Sequence, residues 1–138
     1  MLPAGYHTAT PYMMYRNASG ALDFVKAVFG AVERQCQRDD AGNIRHCEFT
    51  IGDSYFMLAQ ETDRFPDMRS VEAFGGSPIQ VFLYMDDVDA IAARAVAAGA
   101  TLSHPLDDKP YGRSCGFMDP FGLMWWVTTP VAAPQKSH

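Results

Sequence analysis

Cysteine is scarce in this chain. Cys36, Cys47 and Cys115 are its only three. Their odd number and the lack of any C-x-x-C spacing argue against a disulfide framework and for free thiols in a reducing cytoplasm. Long apolar runs are missing as well. None approaches the ~20 residues of a membrane helix, so no membrane partner is expected. The opening Met1-Leu2-Pro3-Ala4-Gly5 has neither the basic nor the apolar region of a secretory leader. Basic residues are in deficit, 11 against 16 acidic ones, for a net charge of −5. A nucleic-acid binder needs a basic face, so nucleic acid is not expected as a partner either. No glycine-rich phosphate loop follows a strand, and no Gly-x-Ser-x-Gly elbow or Ser-His-Asp order occurs.

What is present is a repeat. Residues 10–60 and 79–129 run through the same order of elements. A short apolar strand (Tyr12-Met13-Met14-Tyr15; Val81-Phe82-Leu83-Tyr84) leads to a polar helix start at Asn17 or at Asp86-Asp87. The first helix is predicted over about Ser19 to Phe29, with Leu22, Val25, Val28 and Phe29 on one face. The second is predicted over about Val88 to Ala98, with Val88, Ile91, Ala92, Ala95 and Val96 as its stripe. Gly30-Ala31 and Gly99-Ala100 end them, 69 residues apart, where left-handed caps are wanted. Hairpins follow in both halves, with turns at Asp39–Asn43, Gly52-Asp53 and Asp119-Pro120-Phe121-Gly122. The expectation is an α+β fold of two βαβββ modules. They form a curled mixed sheet around a cleft, with the helices on its outer face.

The length fits one domain, 1–138, divided into module one (about 9–60), a linker (61–78), module two (about 79–129) and a tail (130–138). Residues 1–8 also read as a tail. The segment from Gln60 to Pro78, with Pro66, Gly75 and Gly76, is long for a connector. It is a candidate flap over a site, and Phe65 or Phe74 are its candidate contacts.

Strand alternation separates two faces. Met13, Cys47, Phe49, Ile51, Val81, Leu83, Met85, Trp125 and Val127 form a set suited to cover the helices. The opposite set is mixed: Thr10, Tyr12, Met14, His46, Glu48, Thr50, Gln80, Phe82, Tyr84, Met124, Trp126 and Thr128. A half-solvated sheet face would explain its polar members. Phe82, Met124 and Trp126 favour a cleft lined by aromatics with a few fixed polar groups. The candidate ligand-binding residues are therefore Tyr12, His46, Glu48, Gln80, Phe82, Tyr84, Met124 and Trp126. His46 and Glu48 could also act as an acid and base pair. Cys115 stands near Arg113, where a thiol could be activated, although a packed cysteine is the plainer reading.

Val96-Ala97-Ala98-Gly99-Ala100, Gly75-Gly76-Ser77-Pro78 and Asp119-Pro120-Phe121-Gly122-Leu123-Met124-Trp125-Trp126 together resemble the vicinal oxygen chelate superfamily. That group includes glyoxalase I, extradiol dioxygenases, and fosfomycin- and bleomycin-resistance proteins. Thr10-Pro11-Tyr12, His46-Cys47-Glu48 and Ile51-Gly52-Asp53-Ser54 are similar to its PhnB-like branch. The resemblance covers about residues 9–129 and implies paired βαβββ modules, usually completed as a homodimer.

It also implies a test. Metal-dependent members hold one divalent ion with four side chains, whose places fall here at Thr10, Glu48, Gln80 and Trp126. Threonine is a poor ligand at such a site, and the tryptophan indole is a donor only. Glu48 and Gln80, with His46 as a third, are the only fallback set, short of what a catalytic metal usually has. The expectation is therefore no cofactor and no bound metal. The chain reads as a small-organic-ligand binding protein whose partners are that ligand and a second copy of itself. The alternative is a metal-dependent lyase or dioxygenase of the glyoxalase or extradiol type.

Overall fold

Two βαβββ units follow one another along the chain. The computed structural model describes residues 1–131. Module one comprises β1 (Tyr12–Tyr15), α1 (Ala18–Phe29), β2 (Val32–Arg38), β3 (Ile44–Ile51) and β4 (Ser54–Gln60). A one-turn helix, α2 (Val71–Phe74), lies in the linker. Module two comprises β5 (Val81–Tyr84), α3 (Val88–Ala97), β6 (Thr101–Lys109), β7 (Gly112–Met118) and β8 (Met124–Pro130). The tail expected from 130 lies outside the described residues beyond Val131.

Each module makes one four-stranded mixed sheet, in the orders β1-β4-β3-β2 and β5-β8-β7-β6. The first strand of each runs parallel to the last and the hairpins are antiparallel. The mixed sheet expected from sequence is thus two sheets whose ladders are not joined. The repeat holds in detail: β1 and β5, and the helix ends Gly30 and Gly99, are all offset by 69 residues.

Local chemistry accounts for the helices. The Asn17 side chain accepts from the Gly20 amide at 2.9 Å to start α1, and Gly30 ends it in a left-handed conformation at φ 68°. Asp87, itself left-handed, caps α3 through the Ala90 amide. Both helices turn apolar stripes inward, burying Leu22, Phe24, Val25, Val28 and Phe29 from α1 and Val88, Ile91, Ala92 and Ala95 from α3.

The helix-facing sides of both sheets join these stripes in a single core. Phe29 of α1 packs on Trp125 of β8 at 4.9 Å between ring centroids, and on Phe117 of β7 at 5.9 Å. Phe56 of β4 also approaches Trp125. The apolar alternation set lies here, with Cys47, Phe49, Trp125 and Val127 wholly buried. The mixed set lies on the opposite faces. The N-terminal segment is more than a loose tail, since Tyr6 stacks on Tyr55 with ring centroids 4.0 Å apart.

One buried carboxylate ties the modules together. Asp119 opens the β7–β8 turn, and its Oδ1 accepts the amides of Phe121, Gly122 and Leu123 at 2.8–3.0 Å. Its Oδ2 accepts the Trp125 indole N–H at 3.0 Å and the Tyr15 hydroxyl, from the other module, at 2.9 Å. Burial, with the Asp119 charge beside it, pushes the Tyr15 phenol far above its ordinary range.

Candidate functional site

On module two, the row across the sheet is Phe82, Trp126, Gly116 and His104. Gly116 makes this row possible. A Cβ there would stand 2.7 Å from the Trp126 ring, so only glycine lets the indole pack this closely on β7. The ring then reaches His104 on β6, with centroids 4.5 Å apart. Its N–H donates to Gln80 Oε1 at 2.6 Å. Trp126 is thus fixed on three sides while one side remains open.

On module one, the row is Tyr12, Met57, Glu48 and Gln35. Glu48 Oε2 lies 2.9 Å from His46 Nε2, and His46 Nδ1 lies 3.1 Å from the Tyr12 hydroxyl. A carboxylate only accepts, so with the imidazole neutral the Nε2 carries the proton. Nδ1 is then free to accept from Tyr12. Glu48 thereby sets the tautomer and His46 orients the phenol.

The two modules meet at a cleft of about 1250 Å³, walled by β1, the linker and the mixed face of module two. Of the expected residues, Tyr12, Gln80, Met124 and Trp126 line it. His46 and Glu48 lie outside the lining and touch it only through Tyr12, whose hydroxyl meets His46. Phe82 and Tyr84 lie outside the lining. They pack edge to face on each other, 5.1 Å between centroids, and remain 46% and 65% exposed. The linker does form a wall, through Val71 and Phe74 to Pro78, with Arg69 stacked over Phe74 at 4.7 Å. Phe65, the other flap candidate, is exposed and is not in the lining. A shallower depression of about 430 Å³ at the β2–β3 turn holds none of the expected residues.

His104, Gly116 and Met118 belong to this surface and were not singled out from sequence. The signal lay in pairing the polar 101–109 stretch with β7 as a strand, which puts His104 opposite Gly116. Cys115 is buried on the helix side, and burial raises its thiol pKa, so it is a packing residue.

The four family ligand places do not fit a metal. Trp126 donates rather than accepts, and it occupies the oxygen of Gln80. Glu48 is engaged by His46. Among the described residues, the one cluster of three His, Cys, Asp or Glu with metal spacing is Glu33, Cys36 and Cys47, in the β2–β3 ladder.

The sequence model of the Glyoxalase/Bleomycin resistance protein/Dioxygenase superfamily matches residues 7–127. An uncharacterized protein of Mycobacterium bovis, Mb0911c, is 32% identical over 125 residues, which cover 88% of this chain and 82% of that one. Among solved structures, TioX from Micromonospora sp. ML1 superposes with a TM-score of 0.69 at 29% identity, covering 92% of this chain and 98% of TioX. TnmS3, an antibiotic binding protein from Streptomyces sp. CB03234, gives 0.65 at 26% identity, covering 94% and 99%. FosX, a fosfomycin resistance protein from Mesorhizobium loti, and a PhnB protein from Bacillus cereus share the fold at 20% and 17% identity. The PhnB-like branch is therefore one similarity among several.

Proposed function

Because the chain belongs to the glyoxalase/bleomycin resistance protein/dioxygenase superfamily, we propose that it binds a small, flat organic molecule without a catalytic metal. One observation carries the reading: the Trp126 indole packs against Gly116, is braced by His104 and Gln80, and lines the cleft. An aromatic face stacks planar rings and attracts cationic groups. The other wall adds Tyr12, held from outside the lining by His46 and Glu48. The carboxylate behind it disfavours anions such as phosphates and sugar acids. The similarity to TnmS3 supports an antibiotic-like ligand.

A second copy completes this reading. β5 is a four-residue edge strand, and Phe82 and Tyr84 on it, with Ile79 just before it, are exposed. Covering these apolar side chains with a partner removes them from water and walls the open side of the cleft. Sedimentation should give a dimer at micromolar concentration, with an interface above ~1,000 Å² of buried area. A monomer would remove this part of the reading. The three thiols suit a cytoplasmic setting.

The binding test is a thermal-shift and fluorescence screen of planar aromatic and cationic compounds, run in parallel on Trp126→Ala. The substitution should weaken binding by ~1–3 kcal/mol. Trp126 is only half-buried, so its removal should cost less stability than the ~3–5 kcal/mol of a core tryptophan. A core-sized loss with no compound bound would overturn the proposal. So would stoichiometric metal held by Glu48 in protein purified without a metal-affinity step.

A further inference from the structure

Cys36 and Cys47 face each other across the β2–β3 ladder. Their sulfurs and a Glu33 carboxylate oxygen lie within 4.8 Å of one another. The neighbouring strand shows what kind of pair this is. The amides of Met57 on β4 and of Glu61 just past its end donate to the carbonyls of Pro11, just before β1, and of Tyr15 at its end, each at 2.9 Å. Backbone groups alternate sides along a strand, so those of Leu58 point the other way, toward β3, where its partner is Cys47. Cys47 therefore spends its own N–H and C=O on β4. Opposite Cys36 it makes a non-hydrogen-bonded pair, in which Cα atoms stand ~4.5 Å apart and side chains are closest. That separation falls within the ~4.4–6.8 Å spanned by disulfides.

We propose that Cys36 and Cys47 are a reversible dithiol–disulfide pair, oxidised by exchange with a low-molecular-weight disulfide. A divalent cation fits the cluster less well. Glu33, its third ligand, is held by Lys26 and Arg38, each at 3.0 Å, so two positive charges crowd the place. The asymmetry of the pair orders the steps. Cys36 is half-buried on edge strand β2, whereas Cys47 is wholly buried. The Cys36 thiolate attacks the small disulfide, forms a mixed disulfide and expels one small thiolate. Cys47 then loses its proton, attacks the Cys36 sulfur and expels the second small thiolate. Two protein thiols are oxidised and one disulfide is reduced to two thiols. Cys47 stands between His46 and Glu48, so the bond would staple the edge of the sheet to the strand that aligns Tyr12. It would also lock β2 between its two irregularities in register, at Glu33/Gln35 and Gln37/Arg38.

The test uses the full chain, unaltered, incubated with oxidised glutathione, alkylated and mapped by mass spectrometry. The expected product is a Cys36–Cys47 peptide pair with Cys115 alkylated, reversed by dithiothreitol. Burial holds the Cys47 thiol above its ordinary range. The closing step should therefore quicken as pH rises from 7 to 9, as the thiolate fraction grows. Cys47→Ser should stop at a glutathione adduct on Cys36, and Cys36→Ser should leave Cys47 unmodified. An unaltered chain that stops at the Cys36 adduct, cross-links through Cys115, or keeps three free thiols would overturn the proposal.

Discussion

Asp119 shows how much one side chain holds. It is 4% exposed and accepts five hydrogen bonds, three from its own turn, one from Trp125 and one from Tyr15 in the other module. A buried carboxylate is tolerated only when its acceptor capacity is filled in this way. Tyr15→Phe removes one charge-assisted bond and should cost ~1.5–3 kcal/mol in chemical denaturation. The pH dependence has a definite sign. The Tyr15 phenol and the Cys47 thiol are both held neutral above their ordinary ranges. Above pH ~9 the unfolded chain therefore sheds protons that the folded chain keeps, and stability falls as pH rises. Below pH ~7 neither group gives a slope. Tyr15→Phe should flatten the loss above pH ~10, and an unchanged alkaline slope in that variant would show that Tyr15 is not its source.

At the level of elements, helices and hairpins were readable because their signals are local. Asn17, Gly30, Asp87 and the Gly52-Asp53 turn act on residues beside them in sequence. Face assignment succeeded for the same reason, since alternation needs no knowledge of the partner strand. The site was legible only in part. Tyr12, Gln80, Met124 and Trp126 line the cleft, but nothing along the chain distinguishes Trp126 from Phe82, two positions on one row. What separates them is their neighbours. Gly116 leaves room for the Trp126 ring, whereas Phe82 lies on the sheet edge beyond it. His104 was missed because β6 is polar and its pairing with β7 is irregular. Gly116→Ala tests the seat. Its methyl would meet the Trp126 ring at 2.7 Å and Met124 Cε at 3.0 Å. The ring must lift, at a cost of ~1–3 kcal/mol in stability, and Trp126 fluorescence should shift. A variant with unchanged stability and spectrum would mean that the indole is not held against β7.

For the whole molecule, the question is whether a duplicated chain is two folding units or one. The repeated order of elements suggests two, and each half does close its own sheet. The core argues for one. Phe24 and Phe29 of α1 pack on Phe117 and Trp125, so the helix of module one covers aromatic side chains of module two. Arg94 of α3 donates to the Val28 carbonyl of α1 at 3.0 Å, and Tyr15 reaches Asp119 across the same boundary. A separated half would expose these aromatics, each worth ~1.5–3 kcal/mol of burial. Module two would also leave the Asp119 Oδ2 without its phenol. A half of about 60 residues has little stability to spare against such losses. Residues 1–64 and 77–131 expressed apart should therefore lack native structure, with collapsed amide dispersion in NMR spectra and no cooperative thermal transition. Mixed together, they should recover both if the shared core suffices to reunite them. A half that melts cooperatively alone would show that its sheet and helix carry their own stability, and that the aromatic contacts between modules only dock two folded pieces.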